Sequence, residues 1–144
     1  MFDLKALAVD SKKSTEGVWI DFLGTGAQVK IARHNNRRAE NARSAALYEF
    51  YKDLKDESKA EDIEAKLRQV QAEVMAEFIL VDWKGFGLDG EVLEYSVENA
   101  VKILANPDYE DVYQFILNES TKREHFERSN EEAVAEDVKT SASS

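Results

Sequence analysis

Two short runs near the N-terminus alternate apolar and polar positions. In "GVWIDFLGTGAQVKIARHN", Val18, Ile20 and Phe22 alternate with Trp19, Asp21 and Leu23, and Ala27, Val29 and Ile31 alternate with Gln28, Lys30 and Ala32. A period of two predicts two strands, and the Gly24-Thr25-Gly26 between them supplies the positive φ of a tight turn. Two strands alone are marginal in water, so another element must cover one face.

From Asn36 the period lengthens. Ala39, Ala42, Ala46, Leu47, Phe50, Tyr51 and Leu54 recur at helical spacing, and Asn35 or Asn36 can cap the start. After the charged linker "KDESKAED", where Ser58 or a nearby acid can begin the next element, a second helix is expected from about Lys59 to about Val81. Its stripe is Ile63, Leu67, Val70, Val74, Phe78 and Val81. Apolar residues lie on most sides after Val74, so its C-terminal half should be the more buried. "KGFGLDGEVLEY" reads as a loop or short hairpin turned by Asp89-Gly90. Ser96 caps a third helix with Val97, Ala100, Val101 and Leu104 on its buried side. Asn106 and Pro107 open a fourth, reaching about Phe126 and buried through Tyr109, Val112, Tyr113 and Ile116.

The fold class is therefore α+β: a small N-terminal β-hairpin or sheet followed by a bundle of about four α-helices. One domain spans residues 1–126, β-rich over 1–34 and helical over 35–126. Residues 127–144 are acidic, then small and polar, and are expected to form a flexible, disordered tail, solvated or folding on a partner.

Charge changes the picture. The 144-residue chain carries a net charge of −10, which opposes sequence-independent nucleic-acid binding and adsorption to anionic membranes. No cysteine is present, which removes disulfides, thiolate chemistry and cysteine-ligated zinc. The first residues lack the order of a secretory signal and no apolar run is long enough to span a bilayer, so a soluble cytoplasmic protein is expected.

Candidate chemistry is sparse. His34 and His125 have no second ligand at metal-binding spacing. Asp108, Glu110 and Asp111 lack the spacing of a calcium loop and suit the positive end of a helix. "GFGLDG" lacks the Lys-Ser/Thr of a phosphate loop, and no serine sits in a nucleophile elbow. No catalytic, cofactor-binding or metal-binding residue is assigned, no cofactor is expected, and the chain is not expected to be an enzyme. The one basic concentration comprises Lys30, Arg33, Arg37, Arg38 and Arg43. It reads either as a solvated face paired with the acidic remainder or as a contact patch for an acidic partner.

The order "ILVDWKGF", "DGEVLEYSVENAVKILANP" and an aromatic-rich helix ending near "REHFER" resembles the tail assembly chaperones of long-tailed, siphovirus-like bacteriophages. Trp83, Gly85, Asp89, Gly90, Tyr95, Ser96, Glu98, Asn99, Ala100, Leu104 and Pro107 carry the likeness, which extends over about residues 15 to 126. The resemblance implies a non-enzymatic protein of the host cell cytoplasm, absent from the finished virion. It would bind the tape measure protein, keep it soluble and promote tail tube polymerisation around it. A longer product of ribosomal frameshifting would recruit the tail tube protein, and self-association is a further possibility. Nucleic acid and membrane are not expected partners. On this reading Trp83, Phe86 and Tyr95, with Arg33, Arg37 and Arg38, are the candidate partner-binding residues, against packing of the aromatics at a helix-turn-helix corner. The rival functions are a small structural phage protein, such as a head-tail connector or minor tail component, and an acidic DNA-mimic inhibitor.

Overall fold

The computed structural model describes residues 1–55 and 59–128. A short helix α1 (Ser11–Glu16) leads into β1 (Val18–Asp21) and β2 (Gln28–Ile31). Helices α2 (Arg37–Lys52) and α3 (Ala60–Phe78) follow, then β3 (Leu80–Lys84) and a two-stranded ribbon of β4 (Gly87–Leu88) and β5 (Glu91–Val92). Helices α4 (Val97–Ala105) and α5 (Glu110–Ser120) complete the bundle, with 3₁₀ turns at Leu4–Leu7, Pro107–Tyr109 and Arg123–Phe126. The architecture is α+β, as expected.

The alternation of β1 and β2 sorts their faces. Val29 and Ile31 are fully buried, while Trp19, Asp21, Gln28 and Lys30 turn outward. On the outer face Gln28 Nε2 donates to Asp21 Oδ1 at 3.2 Å, and Lys84 Nζ sits 3.9 Å from the Trp19 ring centre. The strand that completes the sheet is β3. It pairs antiparallel with β2, matching Val29 to Trp83 and Lys30 to Asp82, then shifts register so that Ile31 faces Leu80. This corrects the expected second helix: α3 stops at Phe78, and Val81 belongs to a strand. The backbone beyond Phe78 is claimed by β2, beginning with Ala32 N–H donating to Ile79 O at 2.8 Å.

Several helix starts follow their caps. Asn36 Oδ1 accepts from Ala39 N–H, Ser96 Oγ from Asn99 N–H, and Asn106 Oδ1 from Asp108 N–H. Asn36 is itself buried, and its amide donates to Arg33 O at 2.8 Å. The burial gradient along α3 is as expected, with Ala72, Val74, Met75 and Ala76 all buried. Asp89-Gly90, both at positive φ, turn the β4–β5 ribbon.

Other boundaries and faces differ. Helix α5 ends at Ser120 rather than near Phe126, and the chain re-enters a 3₁₀ turn that buries Phe126 completely. Asp10 N–H donates to Phe126 O at 2.8 Å, and Val9 bridges Glu127, so the N-terminal segment is tied to the end of the described chain. The expected tail begins at this bridge; its residues 129–144, like Ser58, lie outside the described residues. Val97, placed on a buried stripe by its spacing, is 45 % exposed at the first position of α4, and Tyr51 and Leu54 are exposed beyond the last buried turn of α2.

Gly17 joins α1 to β1 at φ 93° and ψ 168°, in a region essentially limited to glycine. A Cβ there would lie 3.0 Å from the Ile31 carbonyl carbon. Gly17→Ala is expected to destabilise the protein by about 1–3 kcal/mol, combining strain and crowding; urea denaturation measures it, and an unchanged midpoint would contradict this packing.

Candidate functional site

The aromatic residues singled out from the sequence do meet. Trp83 projects inward from β3, and its ring centre lies 5.1 Å from Tyr95 and 5.3 Å from Phe86. Phe86 packs edge-on against Phe22 at 5.2 Å, and Phe22 against Phe115 of α5 at 5.0 Å. Both polar handles are satisfied inside the fold. Trp83 Nε1–H donates to Leu93 O at 2.7 Å, and the Tyr95 hydroxyl donates at the turn from α3 to β3, 2.8 Å from Leu80 O and 3.1 Å from Ala76 O. Burial, and then the Asp82 carboxylate, raise the Tyr95 pKa, keeping the hydroxyl a donor. Trp83 is only 5 % exposed. The corner is therefore built from a helix, a strand, a ribbon and a helix, rather than from two helices and a turn.

The arginines disperse. Arg37 is exposed in the first turn of α2, Arg38 stacks 5.5 Å above the Phe78 ring, and Arg33 is half-buried with its backbone N–H donating to Ser14 O. No ring contact or cation–π pair joins the three to the aromatic corner among the described residues. Arg43 turns inward: Nη2 donates to His34 O at 3.0 Å and lies 3.4 Å from His34 Nδ1. Burial, then Arg43, lower the His34 pKa against an opposing effect of Glu40. His34 is thus a half-buried joint between α2 and α5, its backbone N–H donating to Ser120 O at 2.9 Å. His125 contacts Glu119 from the 3₁₀ turn after α5. Glu110, read as a helix-start acid, also pairs with Arg68 at 2.7 Å. Among the described residues no group of three or more His, Asp or Glu could hold a metal ion, and no helix is long and apolar enough to cross a membrane.

A recess lies elsewhere, where sequence reasoning placed no site. The last turns of α2 and the first half of α3 flank a groove of about 600 Å³. Ala46, Phe50, Leu54 and Val70 supply its apolar surface, and Glu49, Asp53 and Glu73 with Lys55 and Lys66 its charges. Tyr48 and Tyr51 stand exposed on α2, Tyr51 edge-on to Phe50 at 5.2 Å. The signal was present as an apolar stripe on α2 that outruns the core available to cover it. A groove of this form can take the apolar face of an amphipathic helix.

A family model described as YdaY prophage protein matches residues 27–137. That is most of the chain, which therefore belongs to the YdaY prophage protein family, a phage-derived family. No curated protein and no solved structure matches it.

Two outcomes test this geometry. Tyr95→Phe is expected to cost about 1–3 kcal/mol by leaving carbonyls at the end of α3 without their donor; Trp83 fluorescence during urea unfolding reads the loss, which vanishes if the hydroxyl bonds are unimportant. His34 titrates below its usual 6.5 in the folded chain. The unfolded chain then binds more protons just below pH 6.5, so this contribution is present above that pH and lost as pH falls through the window beneath it. His34→Gln should flatten that part of the stability profile.

Proposed function

We propose that this member of the YdaY prophage protein family is a tail assembly chaperone. It binds the tape measure protein, keeps it soluble and promotes tail tube polymerisation around it in the host cell cytoplasm. The observation that carries the reading is the groove between α2 and α3, with apolar and charged lining and the exposed Tyr51 edge-on to its Phe50. A long helical client with apolar stripes aggregates unless those stripes are covered, and a groove of this shape suits one turn after another of such a helix. The net charge of −10 keeps a loaded complex apart from its copies. The order and spacing of the elements around Trp83, Tyr95 and Ser96 lend further support through their resemblance to that class of chaperone.

The proposal moves the binding face. With Trp83 and Tyr95 committed to the corner, the client contacts fall to Phe50, Tyr51, Leu54 and Val70. Phe86, half-buried against Phe22 and Trp83, borders the corner rather than this groove.

Co-expression with the tape measure protein encoded by the same prophage tests the reading. The client is expected to become soluble and to co-purify, and the double variant Tyr51→Ser, Leu54→Asp should lose both effects while keeping its fold, since both side chains are exposed. A client that stays insoluble and unbound sinks the proposal. Retention of the protein in purified particles would instead assign it to a structural component of the virion.

A further inference from the structure

Nearer the start of α2, and sharing no lining residue with the groove, Arg43, Gln71 and Tyr113 converge from three different helices on a pocket of about 190 Å³ beside His34. Its walls are apolar, formed in part by Met75, Ile79 and Leu117. The Tyr113 ring is 7 % exposed and fixed in place, with the Arg68 guanidinium stacked 3.3 Å from its centre. Arg68 is held in turn by Leu104 O at 2.9 Å and Glu110 at 2.7 Å.

The donors of this pocket are not consumed by the fold. Among the described residues neither the Tyr113 hydroxyl nor the Gln71 amide has a hydrogen-bond partner, yet no buried side-chain N or O atom is left unsatisfied, so both groups reach open space. Arg43 uses one nitrogen on His34, leaving its Nε and other terminal amino group uncommitted. Burial raises the Tyr113 pKa, with Arg68 and then Arg43 acting against that rise and Glu110 adding to it, so the hydroxyl stays protonated and able to donate. In a chain of net charge −10, a hydroxyl, an amide and a guanidinium thus line one small, largely apolar-walled space.

We propose that this pocket binds a single carboxylate carried on a short, branched apolar group. The Arg43 guanidinium supplies a positive charge and a hydrogen bond from a nitrogen that His34 leaves free, the Tyr113 hydroxyl and Gln71 amide supply further donors, and the walls accept the hydrocarbon. A phosphate dianion suits it less, because apolar walls leave too few donors to replace its hydration. The site is independent of the α2–α3 groove and of the chaperone reading. The carboxylate can belong to a free short-chain acid or to the C-terminal residue of a peptide.

Methyl and amide NMR of the full chain tests the assignment with 3-methylbutanoate, its amide 3-methylbutanamide, and inorganic phosphate. Saturable shifts of the Met75 and Ile79 methyls are expected with the acid alone. Tyr113→Phe, which keeps the ring and its stacking on Arg68, should weaken binding about tenfold, equivalent to about 1.4 kcal/mol; Arg43→Gln should abolish it. A tetrapeptide ending in leucine, as free acid and as C-terminal amide, identifies the source. Tighter binding of the free-acid peptide than of 3-methylbutanoate assigns the site to a chain terminus, and the reverse assigns it to a small acid. The proposal is overturned by absence of saturable shifts with both acids, equal binding of acid and amide, equal binding of phosphate, or undiminished affinity in Tyr113→Phe.

Discussion

The antiparallel pairing of β3 with β2 is the constraint on which the remaining structure depends. It gives the hairpin a third strand and makes β2, with Val29 and Ile31 fully buried, the centre of the sheet. It ends α3 at Phe78 and sets the direction in which the chain leaves the bundle. It also points Trp83 into the core, where the indole can reach Leu93 O and the Tyr95 hydroxyl can meet the carbonyls at the end of α3. Unmade, this pairing would leave the hairpin uncovered and the aromatic corner without its central ring.

The same pairing divides α3 into two halves with different work. Its C-terminal half packs on α4 and the sheet, and its buried residues are mostly small: two alanines, a valine and a methionine lie within 72–76. Its N-terminal half reaches α4 and α5 through Arg68, but on the side of α2 it leaves apolar surface of that helix uncovered. The groove is the result. A polar substitution in the first half meets solvent, whereas one in the second half meets the core, where buried apolar truncations cost about 2–5 kcal/mol.

Much of this was legible from local rules and some of it could not be. Strand alternation, the Ser96 cap, the Asp89-Gly90 turn and one of the two asparagines offered for α2, Asn36, each depend on a few neighbouring residues and agree with the structure, whereas Asn106 caps a 3₁₀ turn and α5 starts three residues after Pro107, at Glu110. Strand β3 was missed because of its register shift. With Val81 out of step, Leu80 and Trp83 both face the core three residues apart, a spacing that imitates a helix and prolongs the stripe of α3. No glycine or proline marks the boundary at Phe78, since the helix is ended by a strand distant in sequence. The meeting of Arg43, Gln71 and Tyr113 was beyond sequence reasoning for a related reason: three helices bring together residues that no spacing connects.

The basic patch shows how a feature visible in sequence changes meaning once folded. Several of the chain's arginines are spent internally: Arg38 on the Phe78 ring, Arg43 on the His34 carbonyl, Arg68 on Tyr113, Leu104 and Glu110, and Arg123 on Glu127 and Ala6 O. Each caps a ring or a backbone oxygen and holds one element against another. These contacts do not remove the positive charges, and Arg38 stays exposed while it makes its own. With a net charge of −10, a partner that approaches by electrostatic steering would be drawn through its own basic residues. Of the stretch first read as a basic patch, Arg38 and Arg43 thus also have contacts within the fold, while Arg37 stays exposed.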